Sequence, residues 1–405
     1  MNDSTGIEDM LTGLLEANHL APLEQLPSLV SLYAARAGLD PVLIYVTDLQ
    51  QCVLRLLTGH GEDTGSYPAE LDIDATLAGR AFQEVRILAK ATPGGGTTDW
   101  WVPILDGTER LGVLRVTIPE GRKEAEDAMR PLASLVALLV VSHRAHSDSY
   151  ARLVRSRPMN VAAELQWRLM PPLTFATHRV TVSALMEPAY EVGGDAFDYA
   201  IAGDILHLAV FDAMGHDVSA GLTATLAMAA CRNHRRHDMS LAPNTEAIER
   251  VLIEEFGRST RYVTAVVADL DLNTGLLTWV NRGHHPPIII RGGRWTVTLE
   301  CPPAHPMGLD LGLPIFLCRE QLEPGDRLLL YTDGIIEAGG REGKEFGLDR
   351  FVDFIIRHNT ADLPVPETLR RLVKSIMTLR DGRLDDDATV LLAEWYGPAD
   401  RRLRL

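Results

Sequence analysis

The chain has 405 residues, of which 46% are hydrophobic and 23% are charged, and its formal net charge is -16. This length is sufficient for two globular domains, each with its own core. The acidic balance argues against nucleic-acid binding as the main activity, because a surface that follows phosphates is normally basic.

The N-terminal third predicts alternating helices and strand pairs. Leucines recur at helical spacing over residues 1–30, and two apolar runs joined by a polar turn predict a hairpin. A helix, a second strand pair and a long helix follow. The predicted elements are, in order, helices within 1–30, strands at 43–46 and 52–57, a helix at 76–83, strands at 99–104 and 111–116, and a helix at 125–144.

This order of elements, with the words W-V-P-I and L-G-V-L-R-V, resembles a GAF sensory domain over residues 10–145. The resemblance implies either a central pocket for a small-molecule ligand or a scaffold for a homodimer. No pair of cysteines or histidines in this part indicates haem or a metal, so the nature of a ligand is left open.

Residues 146–173 are predicted to form a helical linker that ends at Pro171, because proline cannot continue a helix. Such a helix either passes a rotation or a dimer contact between two domains or acts as a passive spacer. The sequence does not decide between these roles.

The C-terminal half contains an acidic turn that directly follows an apolar run. The apolar run at 205–211 predicts a buried strand that delivers Asp212, and Gly215 lets the backbone come close. Ser219 is a candidate N-cap of the helix that follows. Asp195, Asp333 and Asp386 stand in similar acidic turns beside predicted strands.

Four acidic turns at strand ends predict a metal site if they meet at one end of a sheet sandwich. Like charges held close together repel, so folding stability alone gives no reason for their convergence. Carboxylate oxygens are the ligands that Mg²⁺ and Mn²⁺ prefer. The alternative for any single Asp is an ordinary cap or turn former.

Over residues 174–397 the words G-G-D-A-F-D, D-A-M-G-H-D, N-R-G-H-H-P-P, Y-T-D-G, F-G-L and D-D-D-A-T follow one another. Together they resemble the metal-dependent PPM (type two C) protein serine/threonine phosphatases, in the bacterial branch of sporulation stage II E and stress-response regulators. The resemblance implies an α+β fold in which two antiparallel sheets form an αββα sandwich, with two Mn²⁺ or Mg²⁺ ions at one edge.

Matched to the family motifs, the implied metal ligands are Asp195, Asp212, the Ala213 carbonyl, Asp333 and Asp386. Asp212 and Asp333 carry the implied catalytic role, and Asp387 has less weight. Two cations about 3.5 to 4 Å apart would activate water and offset charge on the phosphoryl oxygens, so no Cys or Ser nucleophile is needed.

Several residues near these motifs have competing interpretations. Asp217 stands where the family has Gly, and a cap of the next helix is favoured over contact with metal-bound water. For His216, a structural hydrogen bond to a carbonyl is favoured over general acid catalysis. His284 and His285 are expected to shape the end of the sheet.

The four cysteines, Cys52, Cys231, Cys301 and Cys318, have no C-x-x-C spacing and are predicted to be reduced thiols. The N-terminus lacks the pattern of a secretory signal, and the strongest apolar run, at 135–141, is too short to span a bilayer. A cytoplasmic protein without a membrane segment is therefore expected.

Three functional hypotheses follow. The first is a phosphatase acting on a phosphorylated anti-anti-sigma (STAS-type) protein, as the resemblance implies. The second is a catalytically silent regulator of the same fold, against which the retention of all four aspartates argues. The third is a two-metal phosphoesterase on a nucleotide or nucleic acid, which the acidic charge disfavours.

Overall fold

The computed structural model describes residues 3–59, 67–92, 95–120, 123–191, 193–258, 261–336, 347–359, 364–379 and 386–399. The chain divides into two compact units, and the boundary lies between Arg157 and Pro158. No helix among the described residues combines the length and the apolar character needed to cross a membrane.

The first unit is built on one antiparallel sheet in the order β3-β2-β1-β6-β5-β4. The predicted helices, the first hairpin and the later strand pair are confirmed, whereas β3 and β4 are additional short edge strands that the pattern missed. Its elements are α1 Asp3–Ala17, α2 Leu26–Ala34, β1 Val42–Thr47, β2 Val53–Leu56, β3 Glu70–Asp72, α3 Leu77–Glu84, β4 Leu88–Ala91, β5 Thr97–Asp106, β6 Glu109–Pro119, α4 Lys123–Arg144 and α5 Asp148–Val154.

The two faces of this sheet carry separate cores. Ile44 of β1 packs with Leu14, Val30 and Val136 from α1, α2 and α4. Its neighbour Tyr45 belongs to the opposite core, beneath α3. This alternation follows from the two-residue period of a strand, which places successive side chains on opposite faces.

The predicted continuous helix over residues 146–173 is wrong. The segment forms α5 and a second helix, α6 Val161–Leu169, and the residues between them are not helical. Pro158 lies in this break, where its missing N–H disfavours a helix, and Asn160 caps α6 by accepting from the Ala163 amide. The helix ends before Pro171, as the sequence predicts.

The second unit contains two antiparallel sheets, in the orders β15-β12-β11-β10-β9 and β14-β13-β16-β17-β8-β7. The expectation of a mixed fold with antiparallel sheets is confirmed. After α6 the elements are β7 Thr174–Ala176, β8 Val180–Glu187, β9 Asp195–Ala202, β10 Ile205–Ala213, α7 Val218–Arg235, α8 Leu241–Phe256, β11 Val263–Asp271, β12 Leu276–Arg282, β13 Ile288–Arg291, β14 Trp295–Thr298, β15 Cys318–Gln321, β16 Arg327–Tyr331, α9 Asp333–Ile336, α10 Leu348–Asn359, α11 Val365–Leu379 and β17 Ala388–Trp395.

Helices cover the outer face of each sheet. Helices α7 and α8 pack on the five-stranded sheet, and α10 and α11 pack on the six-stranded sheet. Along β17, Val390 and Leu392 face α10 and α11, whereas Leu391 and Ala393 join the core that contains the other sheet. Strands that are apolar on both faces therefore lie in the middle of the unit.

The cysteine prediction is wrong for two of the four residues. Cys301 and Cys318 form a disulfide, with their Cα atoms 5.9 Å apart. Cys52 and Cys231 are free thiols. The pair is brought together because β15, which begins at Cys318, joins the sheet beside β12, and a separation of 17 residues carries no recognisable spacing signal.

Candidate metal centre

Strand register places two of the predicted carboxylates side by side. Asp195 at the start of β9 is the cross-strand partner of Asp212 near the end of β10, and Asp212 is in turn the partner of Thr264 on β11. Directly opposed residues on neighbouring antiparallel strands project from the same face of a sheet. The three side chains thus form one row across the edge of the five-stranded sheet.

Glycine in the G-G-D motif permits a close approach of two backbones. A Cβ at Gly194 would lie 2.4 Å from the carbonyl oxygen of Ala213, which no side chain tolerates. The Ala213 amide donates to the Gly194 carbonyl at 2.9 Å. The motif therefore holds the turn before Asp195 directly against the turn after Asp212.

A second close approach joins the two acidic turns of the six-stranded sheet. A Cβ at Gly334 would lie 2.0 Å from the carbonyl oxygen of Asp387. The glycine after Asp333 therefore allows α9 to lie on the segment that contains Asp386 and Asp387. The T-D-G and D-D-D-A-T motifs meet through this contact.

Thr332 connects the two sheets at this edge. Its buried hydroxyl donates to Asp195 Oδ2 at 2.6 Å and accepts from the Thr389 amide at 2.9 Å. Asp387 makes a second connection between the same parts, because its Oδ2 accepts from the amides of Gly193 at 2.8 Å and Asp195 at 3.4 Å. Asp195 is thus fixed by groups from the opposite sheet.

The carboxylates of Asp195, Asp212, Asp333, Asp386 and Asp387, here called the acidic centre, influence one another. Burial, followed by the charges of Asp333, Asp386 and Asp387, raises the pKa of Asp212 to about 7. Burial and the charges of Asp212 and Asp387 hold the pKa of Asp195 well above its ordinary value. The acidic centre therefore favours protons or cations that offset its charge.

The donor set suits a hard divalent cation, because all of its side-chain donors are carboxylate oxygens. Among the described residues, however, no three His, Cys, Asp or Glu side chains converge closely enough to hold one ion. Without a counter-charge these carboxylates repel one another, which opposes such convergence. The chemistry of the donors fits a cation, and the side chains as they stand do not enclose one.

The predicted site residues thus lie in one neighbourhood. Asp195 is buried, Asp212 and Asp333 are half-buried, and Asp386 is exposed. The Ala213 backbone lies at the end of β10, against Gly194. The second aspartate of G-G-D-A-F-D has a different role, because buried Asp198 pairs with Arg232 and Arg235 at 2.7 and 2.9 Å.

The turn after Asp212 corrects the expected N-cap of α7. The N-cap of α7 is Asp217, whose Oδ1 accepts from the Ala220 amide at 2.8 Å, and Ser219 lies inside the helix. Capping by Asp217 was the favoured interpretation of that residue. His216 is exposed, and its side chain forms no hydrogen bond with another residue in the described part of the chain, so the bond to a carbonyl stays a prediction.

Sequence reasoning missed Gln166, which supports the acidic centre from α6. Its buried Nε2 donates to the carbonyls of Gly193 and Asp195 at 2.9 and 3.0 Å. It also missed the contacts of His284, a buried residue bonded to Thr264 and to the Tyr331 carbonyl. The only signals were a polar residue on the apolar side of a predicted helix and a histidine beside a glycine turn.

Part of the second unit is similar to known proteins. Residues 202–396 match the family model described as Stage II sporulation protein E (SpoIIE). Among curated proteins of Bacillus subtilis, the chain is 21% identical over 248 residues to phosphoserine phosphatase RsbU, covering 58% of this chain and 69% of RsbU. It is 23% identical over 191 residues to phosphoserine phosphatase RsbP, covering 46% of this chain and 47% of RsbP.

One solved structure is similar to part of this chain. The RsbU and RsbW domains of Rv1364c from Mycobacterium tuberculosis are 26% identical to this chain, with a TM-score of 0.48, over 57% of this chain and 64% of that one. The match does not span the whole of either curated protein. About a third of RsbU and about half of RsbP lie outside the part that this chain covers.

Proposed function

We propose, on the premise that residues 202–396 belong to the SpoIIE branch of the PPM phosphatases, that this protein is a divalent-cation-dependent protein serine/threonine phosphatase. The observation that carries the proposal is the acidic centre itself. Its carboxylates come from four separate segments, and burial together with the neighbouring charges raises the pKa of Asp195 and Asp212, an arrangement that costs stability unless a cation is bound.

Two Mn²⁺ or Mg²⁺ ions, when bound, would activate water and offset the charge on the phosphoryl oxygens. Asp195, Asp212, Asp333, Asp386 and the Ala213 carbonyl are the groups that would hold them. Thr332 and Asp387 keep Asp195 in place from the opposite sheet. Asp212 lies on β10 of the five-stranded sheet and Asp333 follows β16 of the six-stranded sheet, so a phosphoryl group held between them would contact both halves of the unit.

The proposed substrate is a phosphoserine or phosphothreonine regulator protein, specifically a phosphorylated anti-anti-sigma factor of STAS type. The sequence motifs of the stress-regulator branch support this choice, as do two relatives named phosphoserine phosphatases. The acidic charge of the chain, -16, argues against a nucleic-acid substrate.

Regulation by the first unit is the second part of the proposal. The resemblance of residues 10–145 to GAF domains supports a small-molecule ligand or a homodimer there. Helix α6 lies directly after the unit boundary, and its Gln166 supports the carbonyls of Gly193 and Asp195. A shift of α6 would therefore alter the backbone that carries one carboxylate of the acidic centre.

The test is phosphate release from a phosphoserine protein with Mn²⁺ or Mg²⁺. We expect activity that EDTA abolishes and that Asp333→Asn reduces at least about 100-fold, because one ligand carboxylate is lost. Asp349→Asn, which changes an exposed aspartate in the first turn of α10, is the matched control and should retain activity.

The alternatives give different results in the same assay. Binding of the phosphoprotein without phosphate release would identify a silent regulator. Preferential hydrolysis of a cyclic dinucleotide would identify another phosphoesterase. Phosphate release that survives both EDTA and Asp333→Asn would reject the metal-dependent mechanism.

A further inference from the structure

His284 occupies a fixed position in the loop between β12 and β13. Its side chain is 7% exposed. Its backbone is held on both sides by Asn281, which accepts from the His284 amide at 2.8 Å and donates to the His284 carbonyl at 2.9 Å. This local loop leaves the imidazole ring little freedom to reorient.

Both ring nitrogens of His284 have partners. Nε2 lies 3.0 Å from the carbonyl oxygen of Tyr331, and Nδ1 lies 2.7 Å from the hydroxyl of Thr264. A carbonyl can only accept, so Nε2 carries the hydrogen. Burial and the neighbouring His285 lower the pKa of His284 to about 4, so the ring is neutral and Nδ1 accepts from Thr264.

These two partners belong to opposite sheets and stand next to the acidic centre. Thr264 is the cross-strand partner of Asp212 in the five-stranded sheet. Tyr331 is the last residue of β16 in the six-stranded sheet, two positions before Asp333. One imidazole thus links the strand beside Asp212 to the strand that delivers Asp333.

We propose that His284 is a positioning residue, which acts through Thr264 and the Tyr331 carbonyl to set the placement of Asp212 relative to Asp333. The proposal rests on the proposed function, because it assigns these two aspartates to one cation site. Thr332 makes a direct connection of the same kind for Asp195, because its hydroxyl donates to that carboxylate from the opposite sheet.

The connection between the sheets depends on the hydroxyl of Thr264. It has one proton, and both His284 Nδ1 and the Asp212 carboxylate are within its reach. It can donate to only one of them at a time. If a cation were held by Asp212, that carboxylate would no longer compete for the hydroxyl proton of Thr264, and the hydroxyl would go on donating to His284 Nδ1.

The experiment measures Mn²⁺ affinity of the full chain from the electron paramagnetic resonance signal of free Mn²⁺. Thr264→Val keeps the shape of the side chain but removes the hydroxyl, and it should weaken Mn²⁺ binding about 10-fold or more, as losses around metal ligands do. Thr264→Ser should restore most of the affinity. His284→Phe, which keeps a ring without nitrogens, should match Thr264→Val.

His285→Ala is the matched control. The His285 ring stacks on Tyr331 with centroids 5.8 Å apart but takes no part in the hydrogen-bonded link. Its loss removes an imidazole that packs at the same place, and Mn²⁺ affinity should stay at the wild-type value. A loss as large as that of His284→Phe would show that packing, and not the link, positions the aspartates.

A second readout follows the proton itself. In ¹⁵N-labelled protein, addition of Mg²⁺ should move the His284 Nδ1 resonance toward the value of a hydrogen-bonded acceptor, and this shift should be absent in Thr264→Val. Thr264→Val with wild-type Mn²⁺ affinity and an unchanged Mg²⁺ response would overturn the proposal. Wild-type protein that binds Mn²⁺ without releasing phosphate would reject the phosphatase alone, because the affinities of the variants still test His284.

Discussion

Adjacent aspartates have different surroundings in the D-D-D-A-T motif. Asp386 is exposed, and its side chain accepts from the Asp387 amide at 2.9 Å. Asp387 is buried and accepts from the amides of Gly193 and Asp195. The first carboxylate is accessible to a cation, whereas the second holds the backbone of the opposite turn.

This difference predicts that two alanine substitutions have effects of different size. Asp387→Ala should lower the free energy of unfolding by about 1 to 3 kcal/mol, because it leaves buried amides without an acceptor. Asp386→Ala should change it by less than about 0.5 kcal/mol, because the side chain is exposed. Urea unfolding of the chelated protein at pH 5, below the raised pKa of Asp387, measures both.

Asp387→Asn separates charge from hydrogen bonding in this prediction. The amide oxygen can still accept from the Gly193 amide, so most of the stability should return. Equal stability losses at positions 386 and 387 would contradict the assignment of Asp387 to the backbone.

At the residue scale, the sequence indicates the candidate carboxylates more clearly than the residues that hydrogen-bond to the backbone around them. Asp195, Asp212, Asp333 and Asp386 were recognisable because each lies beside an apolar strand and within a family motif. Gln166 was not, because its partners are backbone carbonyls about 30 residues away that any sequence would supply. Hydrogen bonds to the main chain leave no matching pattern in the partner residue.

At the element scale, the disulfide closes a long loop between β14 and β15. Within that loop Met307 pairs with Val263, with both backbone hydrogen bonds at 2.9 Å. Val263 is the partner of Ala213, next to Asp212. The loop is thus bonded to the first residue of β11, close to the acidic centre.

Loss of the Cys301–Cys318 disulfide should destabilise the second unit. A bridge that spans 17 residues restricts the unfolded chain enough to contribute about 3 kcal/mol. The double variant Cys301→Ser, Cys318→Ser should therefore melt about 10 °C lower than the oxidised protein. Calorimetry with and without a dithiol reductant measures the difference.

Reductant provides the control for that prediction. It should lower the melting temperature of the wild type to that of the double variant and leave the double variant unchanged. Cys52→Ser, which changes an exposed free thiol, should have no effect. A wild type that melts at one temperature in both conditions would contradict the stabilising role of the bridge.

Predicted elements failed where local signals were weak. The strands with long apolar runs were found, but β3 and β4 are short and mostly exposed, so they lack an alternating pattern. The break between α5 and α6 was missed because apolar residues keep helical spacing on both sides of it. Asp217 and Ser219 are both good N-cap residues, and only the turn geometry chooses between them.

For the molecule as a whole, the arrangement of the second unit depends on distant contacts. Asp195 and Thr332 are 137 positions apart, and Gly193 and Asp387 are 194 apart. The spacing of apolar residues predicts where strands lie along the chain, but it does not predict the order of those strands in the two sheets. The resemblance to a known family supplied the expected sandwich, which residue patterns alone could not provide.

The acidic centre makes the stability of the metal-free protein depend on pH. The folded-state pKa is about 7 for Asp212 and about 6 for Asp387, both above the ordinary value of 3.8. A carboxyl group with a raised pKa contributes its full stability below pH 4 and loses it as the pH rises through the raised pKa. The chelated protein should therefore melt on the order of 5 °C lower at pH 8 than at pH 5.

Divalent cations should reverse this trend, because they replace the protons that the acidic centre has lost. The increase in melting temperature with Mg²⁺ or Mn²⁺ should be larger at pH 8 than at pH 5. Asp212→Asn removes one titrating carboxyl group, so the difference between its pH profile and that of the wild type isolates the contribution of Asp212 from all other groups. Identical profiles for the two proteins, or a cation effect that is largest at pH 5, would mean that these carboxylates are not electrostatically coupled in the folded protein.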